Sequence, residues 1–220
     1  TSTMRSFSRS DLSDLFMAFA ARMAQERPRL GALDGEIGDA DHGVAMADGF
    51  DAAARALQRS DDAGEGLADG LTLAAHAFLN AVGATTGPLY ASALMRAAET
   101  FGTQTEVPFE RLPELVVAIH DGIEARGHGN PGDKTMLDAW GPAAHVVSRD
   151  LPATDPVALL RAAAEAASNG AEDTRAMMAA RGRAARLGAR SIGHLDPGAV
   201  SAAALLEVLA DWAARHKDAI

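Results

Sequence analysis

The sequence predicts an all-α fold in a single domain, and three observations carry that expectation. Apolar residues recur at helical spacing along nearly the whole chain, and nowhere do they alternate with polar ones long enough to argue for a strand. Hydrophobic residues make up 48% of the 220 but aromatics only 5%, with alanine dominating many stretches. That composition suits closely packed helices, because alanine is the best helix former and lets helix axes approach. No Ser/Gly/Pro linker, low-complexity tract or fixed-period repeat divides the chain, so residues 1–220 read as one domain around one large core.

Residues 1–9 precede the first periodic stretch and read as a flexible N-terminal segment. From Ser10, a residue of N-cap type, Leu12, Leu15, Phe16, Phe19, Ala20 and Met23 form one apolar stripe. Met46, Phe50, Ala53, Ala54 and Leu57 form a second. Further helices are expected at about 66–82, 88–101, 108–127, 133–149, 156–168, 171–180 and 197–216. Pro88, Pro108, Pro156 and Pro197 stand where a first-turn proline is tolerated and mark helix starts. Eight or nine antiparallel helices with short connections follow. Their glycine-rich loops at 31–43, 83–88, 127–133 and 193–198 are spaced so that all four could meet at one end.

Charge narrows the partners. With 30 acids against 20 bases the formal net charge is −10, which argues against a nucleic-acid or anionic-membrane surface. A polyanion could still bind locally, through a metal or helix N-termini. The absence of cysteine rules out thiolate and disulfide chemistry. The opening residues lack the apolar run of a secretory signal, and "LTLAAHAFLNAV" is too short and polar to span a bilayer, so a cytoplasmic setting is expected.

The densest chemistry lies in "LDGEIGDADHGVAM", residues 33–46, where Asp34, Glu36, Asp39 and Asp41 crowd beside glycines with only His42 to offset them. An EF-hand counted from Asp39 fails, with Val44 in place of the sixth-position glycine and Phe50 in place of the twelfth-position glutamate. The plain structural reading makes these acids turn residues and N-caps. The neighbours favour a shared cation, because Gly38 and Gly43 permit close backbone approach and the following helix aims free N–H groups at the loop. Mg²⁺ suits such a place, needing few carboxylates and taking other ligands from phosphate and water.

"GHGNPGDKT" looks like a Walker A loop, but Asp133 separates Gly132 from Lys134 and Thr135, and the preceding segment is helical, so a P-loop NTPase is rejected. "GATTGP", residues 83–88, suits phosphate equally as well as a simple Thr cap. "DPG", residues 196–198, reads first as an Asp N-cap with Pro at the first helical position. Arg175, Arg181, Arg183, Arg186 and Arg190 form the only dense run of positive charge, from which one or two arginines facing the acids would suit phosphate. Met136 reads as core or as a thioether against a purine. His76, His120, His145 and His216 read as ordinary helix residues.

Together "LDGEIGDADHGVAM", "GATTGPLY", "GNPGDKTMLDAW" and "GRAARLGARSIGHLDPGA" resemble, in order and over roughly residues 30–200, the nucleotide-binding L subunit of dihydroxyacetone kinases, the DhaL-type domain. The resemblance implies a barrel of eight antiparallel amphipathic helices with the nucleotide at one end. It implies that Asp34, Asp39 and Asp41 hold two Mg²⁺ ions that bridge to the phosphates of ADP or ATP. It further implies phosphate contacts from His42, Gly43, Val44 and Ala45 and from Thr85 and Thr86. Gly127 and Met136 would lie near adenine, with Arg183, Asp196, Pro197 and Gly198 closing the site. No residue is singled out as catalytic.

The family commonly carries asparagine where this chain has Ala45, a departure that predicts looser nucleotide retention and exchange of ATP for ADP. Partners implied are a K subunit that holds the ketose, dihydroxyacetone or a relative such as erythrulose, and a phosphotransferase-system protein as an alternative phosphoryl donor. A fatty-acid-kinase-like nucleotide domain shares the GDxDxG pattern, but His42 and "GDKTMLDAW" resemble the triose kinases more closely. A regulatory nucleotide-binding module stays open beside the kinase reading.

Overall fold

The computed structural model describes residues 5–60 and 65–218. Eight α-helices follow one another: α1 (Arg9–Ile37), α2 (His42–Arg59), α3 (Leu67–Ala81), α4 (Thr86–Phe101), α5 (Glu114–Gly127), α6 (Leu137–Arg149), α7 (Pro156–Asp173) and α8 (Pro197–His216). Each packs against the next in the chain, and α8 returns to α1, so the helices close into a ring in chain order. The all-α expectation holds.

Small residues set how closely the ring closes. A Cβ at Gly43 would collide with the Arg27 carbonyl oxygen, so glycine lets the first turn of α2 lie directly on α1. Gly170 does the same for α7, whose backbone meets the Asp138 carbonyl at the start of α6. The few aromatics fill the interior: Phe50 stands 5.6 Å from Phe19, 5.2 Å from Phe78 and 5.7 Å from Tyr90 between ring centroids, all edge-on. Tyr90 accepts a hydrogen bond from Trp140 Nε1–H at 3.1 Å, which satisfies the buried indole. Helix α8 is long and apolar enough to cross a bilayer, yet 83% of its apolar window is buried inside the ring, as befits a core helix.

Several sequence expectations are corrected at element ends. A two-stranded antiparallel ribbon pairs β1 (Ser6–Ser8) with β2 (Glu106–Pro108), placing Phe7 opposite Val107. Three residues a side are too short to show alternation in a sequence, which is why no strand was expected. Phe7 is buried edge-on against Trp212 at 5.6 Å, so residues 5–9 belong to the fold rather than to a loose segment; residues 1–4 lie outside the described residues. Ser8, not Ser10, caps α1, in a capping box with Asp11 (Asp11 N to Ser8 Oγ 3.1 Å, Ser8 N to Asp11 Oδ2 2.9 Å).

Helix α1 continues through Asp34 to Ile37, shortening the acidic loop. The expected helix at 108–127 divides into β2, a 3₁₀ turn at Phe109–Arg111 and α5, with Pro108 ending the strand. Helix α6 starts at Leu137 because the Asp138 carboxylate accepts from Gly132 N (2.7 Å) and Thr135 N (2.9 Å), folding the preceding residues into a turn. The expected helix at 171–180 is absent: α7 ends at Asp173, followed by 3₁₀ turns at Thr174–Ala176 and Arg183–Ser191, the latter kinked at Gly188. There the backbone carbonyls turn away to a side chain described below.

Removing the aromatic hub should be costly. Phe50→Ala is expected to lower unfolding free energy by about 3–5 kcal/mol, read from the urea midpoint with an unchanged m value. A loss below about 1 kcal/mol would show that the ring does not depend on this cluster.

Candidate functional site

Chain order alone places the site. In a ring of up-and-down helices every second connection lies at the same end. A cavity of about 570 Å³ is lined there by the ends of α1 and α5, Gly83 and Ala84 in the α3–α4 connection, the starts of α4, α6 and α8, Asp41 and His42 at the start of α2, and residues 181–184 from the segment after α7. Its size falls in the range of about 300–1,000 Å³ usual for small-molecule sites. Four helix N-termini therefore meet at one cavity, each with amides that the helix itself leaves unpaired.

Asp34, Asp39 and Asp41 each offer a carboxylate oxygen, all within 4.8 Å of one another, at the rim. Asp34 reaches from the last turn of α1 and accepts from Asp41 N at 2.9 Å and His42 N at 3.0 Å through Oδ2. One oxygen thus caps α2, and the second remains free to serve as a ligand. Burial and the Asp34 charge hold the Asp41 carboxyl above the ordinary carboxylate range. Arg183 pairs with Asp39 across the mouth of the cavity.

His42 is 7% exposed, and its Nε2 lies 2.8 Å from Ser201 Oγ. Ser201 O–H donates to the Gly198 carbonyl at 3.0 Å, so His42 Nε2 must carry a proton and donate to Ser201. Burial lowers its pKa to about 4 against the opposing pull of Asp34, leaving a neutral imidazole at physiological pH. Leu89, Ile123, Met136 and Leu137 give the cavity an apolar part to its lining.

The plain capping readings divide. Asp196 is the N-cap of α8, accepting from Ala199 N at 2.8 Å with Pro197 in the first turn, and it also lines the cavity. Thr85 precedes α4 without capping it through its side chain; Thr85 and Thr86 both face the cavity. Gly127, Met136, Arg183, Pro197 and Gly198 line it as well. Gly43, Val44 and Ala45 do not. Gly43 packs on α1, the Val44 side chain is exposed, and Ala45 sits in the core with its N–H given to the Asp41 carbonyl at 2.9 Å.

Sequence reasoning missed what Lys134, Arg181, Asp138 and Ser201 do. Arg181 donates to the Asp133 carboxylate (2.8 Å) and to the carbonyls of Gly127 (2.9 Å) and His128 (2.6 Å), tying the segment after α7 to the α5–α6 connection. Lys134 is 3% exposed and donates to backbone carbonyls, not into a phosphate loop. The available signal for it was compositional: the chain has two lysines against eighteen arginines, and one of the two sits in a glycine-rich turn.

Residues 36–211 match the DAK2 domain family. The chain belongs to that family. Among similar proteins, the ADP-binding subunit DhaL of PEP-dependent dihydroxyacetone kinase 1 from Listeria innocua is 36% identical over 132 residues, covering 60% of this chain and 65% of that one. The ADP-binding subunit DhaL of the PEP-dependent dihydroxyacetone kinase from Escherichia coli is 37% identical over 140 residues, covering 62% and 64%. The matched stretch thus spans less than two thirds of either relative. The crystal structure of the dihydroxyacetone kinase from C. freundii, in complex with AMP-PNP and Mg²⁺, superposes with TM-score 0.70 at 24% identity over 95% of this chain and 35% of that chain, which establishes the shared fold.

In this DAK2 domain the start of α8 carries an unusual acid. Burial pushes the Asp196 carboxyl from 3.8 to about 7; the Ala199 N–H opposes the shift, Asp138 adds to it, Lys134 opposes it and Asp34 adds to it. A folded-state pKa above the unfolded one means the native state binds the extra proton, so this group's stabilising contribution is present at acid pH and lost as pH rises towards 7. Asp196→Asn keeps the cap without the charge. The stability advantage of this variant over the parent is expected to grow from pH 4 to 7, by at most about 1.4 kcal/mol per pH unit, then level off. Parallel stability–pH curves for the two DAK2 domains would refute it.

Proposed function

We propose that this chain is the nucleotide-binding subunit of a ketose kinase, delivering a phosphoryl group from Mg²⁺-bound nucleotide to dihydroxyacetone, or a related ketose, held by a separate K subunit. The observation that carries the reading is the junction of three carboxylates with a cavity ringed by four helix N-termini, in a chain of net charge −10. The amides and Arg183 favour phosphate, the carboxylates favour a hard cation, and only a ligand bearing both satisfies both. The names of the relatives, ADP-binding subunits of dihydroxyacetone kinases, point the same way.

Asp34, Asp39 and Asp41 would hold two Mg²⁺ ions. Their oxygens fit the metal's preference for carboxylates, and a cation would relieve the Asp34 charge that, after burial, raises the Asp41 carboxyl. The ions supply charge neutralisation of the polyphosphate, which phosphoryl transfer needs more than a strong base. For the protein's own part, Thr85 and Thr86 at the start of α4 bind phosphate oxygens, since the amides at the start of α2 are taken by Asp34. Leu89, Ile123 and Met136 take the base, beside Gly127. The Asp196-Pro197-Gly198 turn and Arg183 exclude water from the transferring group. His42, neutral and held by Ser201, donates no charge but fixes the Gly198 carbonyl side of the cavity.

Ala45 offers no argument for loose retention, because it is packed in the core with its amide occupied. PEP-dependent relatives named for ADP favour a retained ADP that a phosphotransferase-system protein recharges.

Binding should depend on the metal. Calorimetry with ADP is expected to show a clear transition in Mg²⁺ and none in EDTA, and equal affinity in both would sink the reading. Asp39→Asn is expected to abolish the ligand-induced rise in melting temperature, which for the parent corresponds to about 2.7 kcal/mol at a hundredfold excess over Kd, while leaving the helical circular dichroism intact. Unfolding of the ligand-free variant would make the triad structural instead.

A further inference from the structure

We propose that Lys134 is a positioning residue for the nucleotide site, the anchor by which the segment 174–194 is held as a strap presenting Arg183 to the cavity. The proposal rests on the nucleotide reading for its ligand, but its structural half stands alone.

Apart from Arg181 in its first half, which bonds to Asp133, Gly127 and His128, the strap has little else to hold it. Between residues 177 and 193 only Ala179 and Ser191 are buried, so hydrophobic packing cannot fix its course. Its backbone is instead gathered around one ammonium. Lys134 Nζ stands within hydrogen-bond range of the carbonyls of Thr174 (2.8 Å), Met177 (3.1 Å) and Ser191 (2.8 Å) and of that of His194, so its three N–H donors are shared among four acceptors. These acceptors bracket the strap at both ends, so one side chain closes a loop of about twenty residues. Lys134 itself stands at a left-handed backbone position (φ 64°) in the turn before α6. That turn is locked by Asp138, and the strap's last anchor lies two residues before the Asp196 cap of α8.

The choice of lysine follows from geometry. Carbonyls converging from several directions match a compact tetrahedral ammonium, whereas a planar guanidinium presents its donors in a fixed fork. The arginines otherwise used throughout the chain could not make this set of bonds. Arg183, 67% exposed at its side chain, has its place over Asp39 decided by where the strap runs.

The test uses Lys134→Met, and Lys134→Gln, which keeps two donors, in case the first does not fold. Trypsin reads the strap without any nucleotide. Cleavage after Arg181, Arg183, Arg186 and Arg190 is expected to accelerate by about tenfold or more, as local opening becomes easier. Cleavage after Arg55 and Arg96, exposed on α2 and α4, is expected to keep its parental rate. Calorimetry with Mg²⁺ and ADP reads the positioning. Lys134→Met and Arg183→Ala should each weaken binding on the order of tenfold, the scale of one charge-assisted hydrogen bond. Combining them should weaken it no further than either alone, because both remove the same contact. Unchanged strap cleavage in a folded variant would overturn the anchor, and strictly additive losses would overturn the positioning role. If the parent binds no ADP, the nucleotide reading fails, while the trypsin pattern still decides whether Lys134 holds the strap.

Discussion

Closing eight helices into a ring in chain order forces every second connection to the same end, and the chemistry of this protein hangs on that constraint. Acids leaving α1, hydroxyls entering α4, the turn before α6 and the cap of α8 are separated by up to about 160 residues, yet topology alone delivers them to one cavity. The closing contact, α8 against α1, therefore matters to the site as much as any residue in it. Glycines at crossing points set the radius, since Gly43 and Gly170 let neighbouring backbones touch. A larger residue there would push the start of α2, or the side of α7 against α6, outward, and the cavity walls with them.

The site end combines charges that oppose one another. Two carboxylates about 4 Å apart repel by about 1 kcal/mol in bulk water and about 4 kcal/mol at an effective dielectric of 20. Asp34 relieves part of this by giving one oxygen to the amides of Asp41 and His42, and Arg183 offsets the charge of Asp39. A monovalent guanidinium neutralises one carboxylate, whereas a divalent cation would neutralise two and leave the arginine for phosphate. In the proposed site the same residues would thus favour ligand and metal together over either alone.

How much of this was legible depended on what each residue must satisfy. The acidic triad, the paired threonines and the Asp-Pro-Gly turn announce themselves because their chemistry is local: caps, short spacings and glycines beside acids. The helices were readable from periodicity, their closure into a barrel only from the family resemblance, and Pro156 and Pro197 mark two helix starts correctly. Residues satisfied by distant backbone were not readable. Lys134 looked like a failed phosphate loop because its four acceptors lie 40 to 60 positions away. The helix expected at 171–180 failed for the same reason, since local propensity favoured it and tertiary hydrogen bonds, from Lys134 to the Met177 carbonyl and from Asp196 N to Thr174 Oγ1, drew the backbone elsewhere. The short β1–β2 pairing was invisible because its partners stand a hundred residues apart with too few positions for a pattern.

The barrel and the strap are stabilised by different forces, and that division bears on ligand exchange. The barrel depends on buried aromatics and alanines, whose removal threatens the whole fold. The strap buries almost nothing apolar and depends on hydrogen bonds to one ammonium and one guanidinium, Lys134 and Arg181. Segments held this way open at free energies well below global unfolding. In the proposed nucleotide site, a ligand beneath Arg183 would enter or leave by local release of the strap while the eight-helix ring stays in place. In the proposed site the metal ligands stand at the α1–α2 connection of the ring and the phosphate-facing arginine on the yielding strap, so strap residues would set the rate of exchange, with the Arg183–Asp39 pair linking the two.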